Sequence, residues 1–288
     1  MQPHTMTLPN AMDRVQTLPQ LFDWRVAQTP QASAYLQYNE ASKSWIAVSW
    51  QAVGQRVDQV VWALQQLALP KSSRVAILLP NGLDAVSIDQ AAMALACVPV
   101  PMHTLDNPAS IGYILDDSDA ALLVVQSLSQ WQAIETTGLA LASLRHVVIV
   151  EGLTPKASAS DARSMVSLST WLTAAQPDPA HGVRQAPAAD ELANLVYTSG
   201  TTGKPKGVML THDNILENVK ATFARVPPVP SDVFLSFLPL SHTFERTAGY
   251  YLPIAAGSCV AHARSVALLS EDLKTVRPTI LVSVPRIS

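Results

Sequence analysis

Residues 196–208 read VYTSGTTGKPKGV, where three glycines, four hydroxyl side chains and two lysines follow an apolar run. Glycine lets the backbone adopt positive φ and approach a ligand closely. Successive backbone N–H groups in such a turn bind anions, and a hydroxyl can also ligate Mg²⁺. The composition therefore predicts a phosphate-binding loop. Its candidate contact residues are Thr198, Ser199, Gly200, Thr201, Thr202, Gly203, Lys204, Lys206 and Gly207.

The spacing differs from that of the loop found in P-loop nucleotide hydrolases. That loop requires GxxxxGK[ST], whereas Pro205 follows Lys204 here and no helix begins at the lysine. The pattern thus disfavours a P-loop-like NTPase. Composition alone leaves a mobile surface hairpin open, because short loops of glycine and threonine are common.

A second stretch, LSFLPLSHTFERTAGYYLPIAAG at 235–257, reads as a buried strand that turns into a helix. On the residues alone, His242 is an ordinary residue at the N-terminus of that helix. Tyr250 and Tyr251 then lie on its packing face.

The elements around the phosphate loop follow from the hydrophobic pattern. The loop lies between predicted strands 192–198 and 207–210, and a helix over 211–226 follows with Thr211 as its N-cap. Upstream, the pattern predicts helices at 18–30, 49–69, 81–98 and 108–120, a hairpin at 33–50, and strands at 74–80, 99–104, 121–126 and 146–150.

Strands separated by helices of this length indicate βαβ units with parallel pairing. All-apolar runs such as VAILL and LLVV are typical of strands that are covered on both faces. The predicted fold class is therefore α/β, with layered parallel or mixed sheets flanked by helices.

We predict three sequential regions. Residues 1–150 form an N-terminal α/β subdomain, and residues 191–288 begin a second α/β subdomain that carries the phosphate loop. Residues 151–190 are rich in proline, alanine and serine, which predicts a surface excursion.

Composition excludes several classes of protein. The chain is 48% apolar and 14% charged, which is typical of a well-buried globular protein. Its net charge of −3 without a basic block argues against a nucleic-acid partner. The two distant cysteines and the lack of a signal peptide or bilayer-spanning stretch favour a cytoplasmic location. A peripheral membrane contact stays open.

The stretch YTSGTTGKPKGV resembles the signature loop of the adenylate-forming, or AMP-binding, superfamily. The resemblance implies an ATP-dependent enzyme that activates carboxylates, and whose large domain begins with the α/β subdomains described above. It implies that the loop surrounds the β- and γ-phosphates of ATP. It also implies that Thr198 contacts the Mg²⁺ ion bound to them.

The stretch LPLSHTFERT resembles long-chain fatty acyl-CoA synthetases within that superfamily. By this resemblance, His242 is a catalytic and substrate-binding residue beside the reacting carboxylate. Arg246 lies near the mouth of the acyl tunnel. The resemblance runs from about residue 18 to the end of the chain, with Ser72–Ser73 in place of the usual Gly-Asp.

The implied reaction uses a fatty acid, ATP and Mg²⁺ to form acyl-AMP, and CoA as co-substrate to form acyl-CoA. The family's adenosine-contacting motifs and its C-terminal lysine have no counterpart in the 288 residues. We therefore expect a truncated chain that is inactive alone. Its sheet would expose an apolar edge. We therefore predict that this edge is covered, either by a second copy of the chain in a homodimer or in another way.

Two other functions stay open at this point. One is a non-catalytic fragment that depends on a partner chain. The other is a fatty acyl-AMP ligase that does not use CoA.

Overall fold

The computed structural model describes residues 12–153, 163–177, 186–199 and 203–283. They form two compact units. The first contains residues up to 55, residues 188–191 and residues from 211 onward, and the second contains residues 56–187 and 192–210.

The first unit is built on a five-stranded sheet in the order β12-β10-β11-β1-β2. β1 and β2 form an antiparallel hairpin, while the other neighbouring strands pair in parallel. Its elements are α1 (Leu18–Gln28), β1 (Ser33–Asn39), β2 (Ser44–Ser49), the start of α2 (Trp50–Gln66), α7 (His212–Arg225), β10 (Val233–Ser236), α8 (Thr243–Glu245), a π-helical turn (Arg246–Tyr251), α9 (Leu252–Ala256), β11 (Cys259–His262), α10 (Leu269–Val276) and β12 (Ile280–Leu281).

The second unit is built on a five-stranded, all-parallel sheet in the order β4-β3-β5-β6-β7. Its elements are the rest of α2, β3 (Arg74–Leu78), α3 (Leu83–Ala94), β4 (Val98–Pro101), α4 (Pro108–Asp117), β5 (Ala120–Ser127), α5 (Leu128–Glu135), β6 (His146–Glu151), β7 (Ser164–Ser167), α6 (Leu168–Ala174), and β8 (Leu192–Thr198) with β9 (Lys206–Thr211) as a separate two-stranded sheet.

The predicted α/β class is confirmed. The all-apolar runs of the sequence are β3, β5 and β6, whose central residues are buried because the sheet is covered on both faces. The predicted strand–loop–strand–helix order around the phosphate loop is also present. Thr211 caps α7 as expected, since its hydroxyl accepts a hydrogen bond from the Asn214 N–H at 3.3 Å.

The middle of the predicted surface excursion at 151–190 belongs to the fold. β7 pairs in parallel with β6, from His146↔Ser164 to Ile149↔Ser167. α6 then buries Trp171 and Leu172, which are 7% and 6% exposed. Sequence composition suggested a surface segment because this strand and helix are short and proline-rich stretches flank them.

The observed units also differ from the predicted sequential regions. The first unit combines both ends of the described chain, because β1 pairs in parallel with β11 through Tyr35↔Val260. A pairing across more than two hundred residues leaves no local signal in the sequence. No helix among the described residues has the length and apolar character needed to cross a bilayer.

Replacing Trp171 tests whether α6 is part of the folded core. Trp171→Ala should lower the free energy of unfolding by about 3 kcal/mol, because it leaves a cavity under a buried ring. Urea unfolding followed by circular dichroism measures the change. Leu105→Ala is the control, since Leu105 is 84% exposed and its replacement should change stability by less than about 0.5 kcal/mol. Equal stability of the two variants would show that α6 is not part of the folded core.

Candidate functional site

The phosphate loop begins at the end of β8, in the second unit. Ala193, Leu195 and Val196 are buried, whereas Thr198 and Ser199 are exposed. Gly203, Lys204, Lys206 and Gly207 follow on the return side and are exposed as well. The hydroxyls and ammonium groups of these described residues therefore face solvent, where a ligand can reach them. Gly200, Thr201 and Thr202 lie outside the described residues.

Two glycines of the loop are constrained in different ways. Gly203 has a φ of +125°, a conformation that residues with a side chain rarely adopt. Gly207 has close neighbours instead. A Cβ there would lie 3.0 Å from Leu195 Cδ1 and 3.2 Å from Tyr197 Cζ. A side chain at residue 207 would therefore require the side chains of Leu195 and Tyr197 to shift by a few tenths of an ångström.

Side chains of α4 contact both sides of the loop. The Tyr197 hydroxyl donates a hydrogen bond to Asp117 Oδ2 at 2.6 Å. Burial, followed by this bond to Asp117, raises the pKa of Tyr197, so the phenol stays protonated. The Lys204 ammonium lies 5.0 Å from the centroid of the Tyr113 ring. Sequence reasoning missed Tyr113, Asp117 and Tyr197, because no local pattern links residues 80 positions apart.

The donor set of the loop fits a phosphate with a bound Mg²⁺ ion better than it fits a metal alone. The described residues contain no cluster of three or more His, Cys, Asp or Glu side chains that could hold a metal. Thr198 offers a single exposed hydroxyl. Mg²⁺ commonly keeps several waters and takes its remaining ligands from substrate phosphates, which suits so sparse a protein contribution.

In the first unit, His242 is the N-cap of α8. Its Nδ1 accepts a hydrogen bond from the Phe244 N–H at 3.3 Å. This is the ordinary role that the residues alone predicted. His242 also lines a cavity of about 940 Å³, so its ring is available to a ligand there.

The walls of this cavity are mainly apolar. Besides His242, polar groups come from Asn218, Thr222, Arg225, Thr243, Thr247 and Ser283. Its apolar lining includes Val226, Pro228, Phe234, Leu252, Ile280 and Val282. A cavity of this size and lining can hold an extended apolar ligand with one polar end.

The structure places Arg246 inside the fold rather than along the cavity. Arg246 is 2% exposed and donates a hydrogen bond to the Tyr251 hydroxyl at 2.7 Å. Its guanidinium lies 5.4 Å from the centroids of the Tyr250 and Tyr251 rings. An arginine held in this way supports the π-helical turn. Its predicted place near the mouth of the acyl tunnel stays a prediction.

Glu245, the residue before Arg246, is fully buried, and sequence reasoning missed it. The Ser236 hydroxyl donates to its Oε1 at 2.6 Å, and its Oε2 has no hydrogen-bond partner among the described residues. Burial raises the pKa of Glu245 to about 8, against the opposing effect of the bond from Ser236. A Cβ at Gly249 would overlap the Glu245 carboxyl group, so a side chain there would require that carboxyl group to move.

Comparison with known proteins identifies the family. A model described as AMP-binding enzyme matches residues 22–288. The chain belongs to the AMP-binding enzyme family. The resemblance carried by VYTSGTTGKPKGV is thereby confirmed at the family level, while the roles of individual residues stay predictions.

The curated relatives of this AMP-binding enzyme chain act on fatty acids by name. Fatty acyl-CoA synthetase A of Dictyostelium discoideum is 29% identical over 245 residues, which cover 84% of this chain and 36% of the relative. Long chain acyl-CoA synthetase 6, peroxisomal, of Arabidopsis thaliana is 33% identical over 225 residues, which cover 76% of this chain and 31% of the relative. The chain thus spans about a third of the length of these relatives.

Solved structures agree with the fold of this AMP-binding enzyme chain. The inhibitor-bound N-terminal domain of FACL13 from Mycobacterium tuberculosis superposes with a TM-score of 0.77 at 20% identity. The match covers 94% of this chain and 63% of that domain. At this identity the likeness shows the fold alone.

The raised pKa of Glu245 predicts a pH-dependent stability. The unfolded chain loses this proton near pH 4.5, whereas the folded chain keeps it to about pH 8. The stabilising contribution of the neutral carboxyl is therefore complete below pH 4.5 and is lost as pH rises through 8. Glu245→Gln should remove this loss, which amounts to roughly 1.4 kcal/mol per unit of pKa difference.

Urea unfolding at several pH values measures this effect. The difference in stability between Glu245→Gln and the wild type should grow in favour of the variant from pH 5 to pH 9. Glu217→Gln, which alters an exposed carboxylate of α7, is the control and should track the wild type. If the free energy of unfolding depends on pH in the same way for Glu245→Gln and the wild type, Glu245 is ionised in the folded protein.

Proposed function

We propose that the chain forms the phosphate-binding and acyl-binding parts of an ATP-dependent fatty acid-activating enzyme. The observation that carries the proposal is the loop from Thr198 to Gly207, with its exposed hydroxyls, the positive φ of Gly203 and two lysines. Membership of the AMP-binding enzyme family and the printed names of the relatives support it.

The proposed substrate is a long-chain fatty acid. The apolar cavity of about 940 Å³ in the first unit supports this choice, because long acyl chains bind through apolar contact. His242 is the polar residue of this wall that we assign to the carboxylate end. Arg246 is assigned a supporting role under the tyrosine rings, given its burial.

In the first half-reaction, a carboxylate oxygen attacks the α-phosphorus of ATP and the bond to the β-phosphate oxygen breaks. The products are acyl-AMP and pyrophosphate. A CoA thiol then attacks the acyl carbonyl, loses its proton and expels AMP. The proposed work of the loop is to hold the β- and γ-phosphates and to offset the negative charge that builds on pyrophosphate.

In the loop, backbone N–H groups and the Thr198 and Ser199 hydroxyls would donate to phosphate oxygens. Lys204 and Lys206 would supply the positive charge. A bound Mg²⁺ ion would neutralise phosphate charge, with Thr198 as its protein contact. Cys97 and Cys259 are free and buried, which supports placing the reaction in the reducing cytoplasm.

ATP–pyrophosphate exchange with palmitate and Mg²⁺ tests the proposal. It should be run on the 288-residue chain and on this chain joined to the remaining part of a relative such as Fatty acyl-CoA synthetase A. Palmitate-dependent exchange in either protein supports acyl-adenylate formation. Absence of exchange in both, with long-chain and short-chain acids alike, would contradict it.

Removing a lysine of the loop tests the phosphate role. Lys206→Ala should lower the rate of exchange by on the order of 10²-fold, because it removes charge stabilisation from the departing pyrophosphate. Lys43→Ala in the exposed β1–β2 turn is the matched control and should leave exchange unchanged. Wild-type exchange in Lys206→Ala would remove this lysine from the mechanism.

The imidazole of His242 can be separated from its capping role. His242→Ala should impair adenylation more than ATP binding, with the decrease seen in exchange rate and not in the dissociation constant for ATP. His242→Asn keeps an N-cap side chain but loses the ring. If Asn restores the rate, only the cap matters; if both variants are slow, the ring acts on the substrate.

A further inference from the structure

The face of α4 (Pro108–Asp117) that contacts the phosphate loop has no role in the reaction described above. Asp117 accepts a hydrogen bond from Tyr197, directly before Thr198. Tyr113 lies one helical turn earlier and contacts Lys204 on the return side of the loop. Residues four apart share one face of a helix, so a single surface contacts both sides of the loop.

We propose that α4 anchors the phosphate-binding loop, with Tyr197 and Asp117 as positioning residues and Tyr113 as the support for Lys204. The inference rests on the proposed function for the meaning of the loop, but the anchoring contacts can be tested without it. It adds three residues that act through the loop rather than on the substrate.

The anchor requires a rigid helix, and α4 is well fixed. Its N-cap, Asn107, accepts a hydrogen bond from the Ser110 N–H at 2.8 Å, and Pro108 occupies its first turn. Ile111, Ile114 and Leu115 are buried in the hydrophobic core of the second unit. A group bonded to Asp117 is therefore tied to that core.

Tyr197 is held on both sides. Its hydroxyl donates a hydrogen bond to Asp117 Oδ2 at 2.6 Å, at the short end of the range for O–H···O bonds. Its ring faces Gly207, where an added Cβ would lie 3.2 Å from Cζ and 3.4 Å from the hydroxyl oxygen. Burial and the bond to Asp117 raise the pKa of Tyr197. One tyrosine thus fixes the end of β8 and the start of β9.

The contact is also able to open. Asp117 and Tyr197 line a polar cavity of about 440 Å³ together with Arg74 and Asp119, so water reaches the hydrogen bond. Lys204 is likewise exposed, and a lysine above an aromatic ring is held weakly. These contacts would restrict the loop without ligand and allow Lys204 to turn toward a phosphate. Such restriction lowers the ordering cost when the ligand binds.

Limited proteolysis of the 288-residue chain tests the anchor. Trypsin cleaves after Lys206, whereas Pro205 protects the bond after Lys204. Tyr197→Phe and Asp117→Ala should each speed cleavage after Lys206 by about five- to tenfold, the change expected from losing one partly exposed, charge-assisted hydrogen bond. The double variant should match the single ones, because both remove the same contact.

Three further variants serve as controls. Asp116→Ala removes a neighbouring exposed carboxylate from the same helix end and should cleave like the wild type. Asp117→Asn retains an acceptor for the tyrosine and should restore protection in part. Tyr113→Leu should increase cleavage, whereas Tyr113→Phe, which keeps the ring, should not. Wild-type cleavage in Tyr197→Phe and Asp117→Ala would overturn the anchor.

Inorganic pyrophosphate with Mg²⁺ separates the anchor from the proposed function. Protection of the Lys206 site by pyrophosphate in the wild type supports phosphate binding by the loop. Faster cleavage in the variants without any pyrophosphate protection would keep the anchor and contradict the phosphate role. In an exchange-active longer protein, Tyr197→Phe should raise KM for ATP more than it lowers kcat. A larger effect on kcat than on KM would instead assign Tyr197 to the chemical step.

Discussion

The contact of β8 with the core of the second unit is the constraint on which the phosphate loop depends. Leu195 is 6% exposed and packs with the buried residues of the parallel sheet and of α4. Residues 193–196 of β8 are all buried, and exposure begins at the end of the strand with Thr198. Tyr197 then adds the bond to Asp117. An exposed and glycine-rich loop thereby begins and ends at fixed points.

In the first unit, the segment 242–251 carries aromatic and charged side chains and packs against the sheet. His242 caps a very short α8, and a π-helical turn follows. Turns of this kind are rare and often mark functional sites. Here the turn buries Glu245 and Arg246 in adjacent positions, and it relies on the space that Gly249 leaves beside the Glu245 carboxyl group.

Local physics accounts for what could be predicted. The Thr211 cap, the hairpin at 33–50 and the all-apolar strands are encoded by neighbouring residues, and so these elements were predictable with small boundary differences. The composition of the loop likewise indicated an anion site. The strand and helix at 164–174 were missed because they are short and lie between stretches rich in proline and alanine.

The family, the fold class and the chemical character of the loop could be inferred from the sequence, since each depends on residue types and spacing within short stretches. The folded chain was needed to reveal the pairing of β1 with β11, the contacts of Tyr113 and Asp117 with the loop, and the burial of Glu245 and Arg246. These features join residues that are distant in the chain or depend on what covers them. Their energies come from packing and desolvation, which no local pattern of residues records.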